Sequence, residues 1–94
     1  GFGAAAKGNT LLNYCGIKSN LIKLIIDSAE SKQDKFMPGS HIPIYSPETL
    51  KDFIPDYILI LPWNLKEEIM ELNRHLKYKG TKFVVALPKI KIYE

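Results

Sequence analysis

The sequence predicts an α/β fold: a Rossmann-like three-layer sandwich around a mostly parallel sheet, with the first strand truncated or missing. Three observations predict it. Continuous apolar runs, "LIKLIID" at 21–27, "YILIL" at 57–61 and "KFVVAL" at 82–87, suit strands buried on both faces. Segments with helix start and stop signals alternate with these runs, which is the pattern of a layered parallel sheet with right-handed connections. The chain opens on "GFGAAAKGNT", a glycine-rich run of the kind that leads from a strand into a helix N-terminus. A strand is expected in front of such a loop, and Gly1–Gly3 supply at most its last residues.

The elements follow in order. Residues 9–15 read as a short helix, with Asn9 as its cap and Gly16 closing it in a left-handed conformation. The first buried strand runs from Leu21 to Asp27. Residues 28–35 are polar and irregular. Pro38 and Pro43 bound a very short strand near Ile42–Tyr45. "SPETLKDF" starts a helix, with Ser46 as cap, Pro47 at the first helical position and Glu48 facing the positive helix end. After the strand at 57–61, Asn64 and Glu67 form a pair resembling a capping box. Leu65, Ile69, Leu72 and Leu76 then recur at helical spacing through Lys79, and Gly80 ends that helix. The strand at 82–87 follows, and "PKIKIYE" alternates as a trailing edge strand. No internal repeat or low-complexity linker interrupts the order.

The 94 residues make one domain, 46% of them apolar. The net charge of +3 is spread along the chain, with no basic arm and no run of like charges. This does not indicate nucleic acid, and a polyanionic small molecule suits the small positive excess. Cys15 is the only cysteine, so no internal disulfide forms and no Cys/His set has zinc spacing. A cytoplasmic, reducing compartment is the expectation. The longest apolar run, Tyr57 to Trp63, is too short to span a bilayer, so no membrane association is expected. An initiator methionine is absent, which suggests a piece of a longer protein.

In sheets of this class, ligands sit outside the carboxyl ends of the strands. Four segments fall there: "GFGAAAKGN", Asp27 with the loop after it, "MPGSH" and "LPWN". In the first, Gly1, Gly3 and Gly8 let backbone approach a ligand and permit positive φ. Backbone N–H groups at the helix start favour an anion, and Lys7 adds a point charge. The competing reading is a tight turn with no ligand. The run is neither GxxxxGK[ST] nor a full GxGxxG, since Ala6 stands where the last glycine would. Asp27 lies about 20 residues beyond the loop, the spacing of an acid that binds ribose hydroxyls. It reads equally as a cap or a loop salt bridge. Pro38, Gly39 and His41 form a turn, in which a lone histidine is more often a surface residue than a catalyst. Pro62, Trp63 and Asn64 follow the strand at 57–61. Trp63 suits stacking on a base or sugar, or covers the sheet edge, and Asn64 is explained as a cap. No nucleophile–base pair and no metal set stands out, which points to a binding module without catalytic residues of its own.

"GFGAAAKGNTLLNYCGI", "MPGSHIPIYSPE", "PDYILILPWNLKEEIM" and "KFVVALPKI", in that order, resemble the C-terminal domain of S-adenosylmethionine-dependent sugar C-methyltransferases. The resemblance spans nearly the whole chain and is weakest at 28–35. It implies a three-part enzyme acting on nucleotide-linked deoxysugars. A zinc-binding part and a central methyltransferase domain, which binds S-adenosylmethionine, would lie outside this chain, leaving no cofactor within it. The domain itself would hold the nucleotide-diphosphate sugar against the central methyltransferase domain of the same full-length chain. The opening loop, through Gly3, Ala4, Lys7, Gly8 and Asn9, would then take the diphosphate, and Pro38, Gly39, His41, Pro62, Trp63 and Asn64 would also face the ligand. Two rival readings are a dinucleotide-binding domain of an oxidoreductase and a non-enzymatic nucleotide-binding or interaction domain.

Overall fold

The computed structural model describes residues 1–4, 6–86 and 89–94, with the backbone alone for residues 6 and 7. The element order begins with helix α1 (Ala6–Tyr14), then strands β1 (Ile25–Ile26), β2 (Lys35–Phe36), β3 (Pro43–Tyr45) and β4 (Tyr57–Leu59). Helices α2 (Lys66–Leu72) and α3 (Arg74–Lys77) precede strands β5 (Lys82–Val85) and β6 (Lys91–Tyr93). Short 3-10 turns lie at Glu30–Lys32, Pro47–Lys51 and Trp63–Leu65.

The strands form two mixed three-stranded sheets, ordered β1-β3-β2 and β4-β5-β6. This corrects the expected Rossmann-like sandwich with a mostly parallel sheet. In each sheet one pair is parallel and one antiparallel: β1 with β3 and β4 with β5 run parallel, while β2 and β6 run against β3 and β5. Short connections explain the reversals, because a parallel return needs a crossover of a dozen or more residues. Residues 37–42 turn β2 back on β3 as a hairpin, with the Met37 N–H donating to the Ile42 carbonyl at 2.8 Å and the His41 N–H to the Met37 carbonyl at 3.0 Å. Gly39 and His41 take positive φ there, 84° and 59°. Only five residues separate β5 from β6.

Phe2 lies between the two sheets and forms single parallel bridges to Ile26 and Ile60. Its N–H donates to the Leu59 carbonyl at 2.9 Å, and its carbonyl accepts from the Leu61 N–H at 3.1 Å. On the other side, Gly3 N–H donates to the Ile26 carbonyl and Ile26 N–H to the Gly1 carbonyl, both at 2.8 Å.

Side chains alternate across the sheets, as the two-residue period of a strand requires. Ile26 and Ile60 join a core with Phe2, Leu50, Ile69, Leu76 and Phe83. Their neighbours Ile25 and Leu61 join a second core with Leu12, Met37, Ile42 and Ile44. The apolar run at 21–27 is strand only at Ile25–Ile26, because Leu21 and Ile22 donate backbone hydrogen bonds to the Lys18 carbonyl and close a turn instead.

Helix α1 begins three residues before Asn9, which therefore lies inside the helix and does not cap it. Its end follows the expectation: Ile17 N–H donates to Leu12 O and Gly16 N–H to Asn13 O, with Gly16 at φ 68°. This is a Schellman closure. The helix expected from Asn64 to Lys79 is divided. Asn64 sits within a 3-10 turn, and no side-chain cap bond forms at that start. Asn73 is buried, and its Nδ2 donates to the Ile69 carbonyl at 2.9 Å, at the junction of α2 and α3. A side chain competing for that carbonyl is a known local cause of bends. The "SPETLK" segment is a 3-10 turn, not an α-helix, and the Ser46 side chain makes no cap bond. The expected strand end at Leu87 lies outside the described residues.

Candidate functional site

The loop after Phe2 is closed by an internal carboxylate. Ala4 N–H donates to Asp27 Oδ2 at 2.7 Å, and Ala29 N–H donates to Asp27 Oδ1 at 2.8 Å. Gln33 Nε2 donates to the Asp27 carbonyl at 2.9 Å. Asp27 thus ties the loop before α1 to the segment after β1. The residue is half-buried, and both its carboxylate oxygens already accept a backbone N–H.

Three glycines are explained by close packing. Gly3 has φ 95°, and a Cβ there would stand 2.6 Å from Pro62 Cδ. A Cβ at Gly8 would stand 2.7 Å from Leu61 Cβ, so Gly8 lets α1 sit down on the second core. At Gly39 a Cβ would meet Asn13 Oδ1 at 2.5 Å, while Asn13 Nδ2 donates to the Pro38 carbonyl at 3.1 Å. Helix α1 is thereby fixed against the β2–β3 hairpin.

Between α1 and that hairpin lies a cleft of about 380 Å³. Ala4, Asn9, Ser31, Lys32, Lys35 and Pro38 line it, with Phe36 also on its wall. Asn9 Oδ1 is buried without a hydrogen-bond partner. Neither lysine is in an ion pair among the described residues. Asp34, between them, has φ 62° where the chain passes from the Glu30–Lys32 turn into β2, and both lysines line the cleft. Phe36 is 62% exposed.

The sequence-predicted candidates divide accordingly. Ala4, Asn9 and Pro38 share the cleft, and Gly3 and Asp27 shape the loop beside it. Gly8 and Gly39 serve packing. His41 is exposed in the hairpin turn. Pro62 packs on Gly3. Trp63 is half-buried and Asn64 exposed, and neither lines the cleft. The Lys7 side chain lies outside the described residues. Sequence reasoning missed Ser31, Lys32 and Lys35 in a segment read as irregular, and Phe36 just after it. The available signal was two lysines flanking an aspartate, a residue type that tolerates left-handed backbone.

A larger groove of about 490 Å³ lies at the opposite, amino ends of the strands, around Gly1, Leu24, Ile54 and Tyr57. There the Gly1 nitrogen donates to the Leu24 carbonyl at 2.8 Å. None of the candidate site residues lines this groove, and its walls are mainly apolar. No group of three or more His, Cys, Asp or Glu among the described residues is placed to hold a metal ion. No described helix is long and apolar enough to cross a membrane.

Fold and cleft together define a small mixed-sheet domain with a lysine-lined cleft between α1 and the β2–β3 hairpin. Residues 1–88 match the family model for the C-methyltransferase C-terminal domain, and the chain belongs to that family. It is 39% identical over 92 residues to the C-methyltransferase NovU of Streptomyces niveus. The match covers 98% of this chain and 22% of that protein, so the chain spans about a fifth of its relative's length.

Proposed function

We propose that this domain holds the nucleotide-diphosphate sugar substrate of an S-adenosylmethionine-dependent C-methyltransferase. Residues 1–94 would form one C-terminal domain of the larger enzyme, docked against a central methyltransferase domain of the same chain. The observation that carries the reading is the cleft. It brings together Ala4, Asn9 and Pro38, distant in sequence, with two lysines that have no ion-pair partner among the described residues. Concentrated positive charge in a concave site with an unpaired buried acceptor suits a polyanionic ligand that also carries N–H or O–H donors.

The cleft does not fit the cofactor, because two lysines oppose the positive sulfonium of S-adenosylmethionine. The described residues do not fit zinc either, since no three suitable ligands converge. Both are assigned to other parts of the enzyme, and no step runs through them here. The reaction class is abstraction of a proton beside a sugar carbonyl, then methylation of the resulting carbanion, with the base also outside this chain. The contribution of this chain is to bind and orient the substrate, whose immobilisation lowers the entropic part of the barrier. A reducing compartment such as the cytoplasm suits the exposed free Cys15.

The dinucleotide-binding alternative is weakened by Asp27. Its two carboxylate oxygens accept backbone N–H groups where ribose recognition would need them free. Calorimetric titration of the full-length protein with thymidine, uridine and guanosine diphosphate sugars and with NAD tests the proposal. A nucleotide-diphosphate sugar should bind and NAD should not. Binding of NAD alone would overturn it.

A further inference from the structure

We propose that Lys32 and Lys35 are the diphosphate clamp of this domain, and that the Gly3 and Ala4 N–H groups of the glycine loop are not. The inference rests on the nucleotide-sugar reading above and assigns one part of the ligand to named residues. It begins with where negative charge already sits. The loop's Gly3 N–H is spent on the Ile26 carbonyl at 2.8 Å, and its Ala4 N–H on Asp27 Oδ2 at 2.7 Å. The loop therefore already holds an anion, the chain's own carboxylate. A second anion seated on the same donors would lose those hydrogen bonds and meet the charge of Asp27.

The opposite wall has the reverse character. Lys32 and Lys35 both line the cleft, and neither is neutralised by an ion pair among the described residues. Lys32 is half-buried and Lys35 exposed. Two like charges brought to one cleft repel each other unless an anion lies between them. The left-handed backbone at Asp34, between the two lysines, is a conformation that a non-glycine residue adopts at a cost. Asn9, on the α1 wall, adds a buried acceptor without a partner. A lysine is a point-charge donor suited to a diphosphate that presents several oxygens. The chemical class of the ligand is thus a phosphate diester chain between a nucleoside and a sugar, gripped from the 31–35 segment.

The test uses the full-length protein with K32Q, K35Q, the double variant and K32R/K35R. Calorimetry measures thymidine and uridine 5′-diphosphates, their nucleosides and inorganic pyrophosphate. Each single glutamine variant should weaken nucleoside diphosphate binding about tenfold, the low end for one charge-assisted contact. The double variant should lose more than either, and its affinity should depend less on salt. Nucleoside affinity should stay the same, and K32R/K35R should retain most diphosphate binding. Unchanged melting of the variants identifies the loss as one of binding. Full diphosphate affinity in K32Q/K35Q would overturn the clamp while leaving the nucleotide-sugar reading standing. Failure of the wild type to bind either diphosphate would overturn both.

Discussion

At the residue scale, the glycines separate into those that turn the chain and those that admit a neighbour. Gly3 does both, with φ 95° and Pro62 Cδ 2.6 Å from where a Cβ would stand. Gly16 has φ 68° and open space around it. Gly3→Ala should therefore cost about 1–3 kcal/mol, combining backbone strain with displacement of a rigid proline ring. Gly16→Ala should cost about 1 kcal/mol, from strain alone. Urea denaturation of the two variants tests the ranking, and equal losses would contradict the packing role of Pro62. The glycine positions were legible in the sequence because the conformational freedom of glycine is local. The role of Asn9 was not. Its side chain looks like a cap, but the acceptor at the loop before α1 is supplied by Asp27 from 23 residues away. A sequence shows a possible cap, and only the fold shows which carboxylate arrives first.

At the scale of elements, the carboxyl ends of the helices were read better than their starts. Gly16 and Gly80 close their helices as expected, with φ 68° and 96°. Strands β3, β4, β5 and β6 fall where apolar or alternating runs placed them, although each is only three or four residues long. The direction of pairing was not legible. Apolar runs report burial, and burial does not distinguish a parallel neighbour from an antiparallel one; only β1 is buried at every residue, while β4 starts at the exposed Tyr57 and β5 alternates. The hairpin signal was in "MPGSH", where Gly39 and His41 take left-handed backbone. It was read as a ligand turn, and β2 before it was missed. The split between α2 and α3 likewise depends on Asn73, whose hydrogen bond to the Ile69 carbonyl is invisible to helical periodicity.

At the scale of the whole molecule, two short sheets are coupled through one residue. Phe2 bridges Ile26 and Ile60 and is 7% exposed within the first core. Phe2→Ala should destabilise by about 3–5 kcal/mol, the usual cost of emptying a buried aromatic site. Amide exchange should show Ile26 and Ile60 losing protection together, because the substitution loosens both bridges. Loss at one sheet alone would show that the sheets are stabilised independently.

The same coupling sets the cleft, since the loop that follows Phe2 carries Ala4 to the wall opposite Lys32 and Lys35. The central claim is that a nucleotide-diphosphate sugar lies in this cleft. Backbone amide shift mapping by NMR of the labelled full-length protein, with a thymidine or uridine diphosphate sugar added, tests it most directly. The account predicts saturable shifts clustered at residues 4, 9 and 31–37, with residues 21–24, 54, 56 and 57 around the apolar groove unmoved. Saturable shifts centred on that groove, with residues 31–37 unmoved, would contradict it.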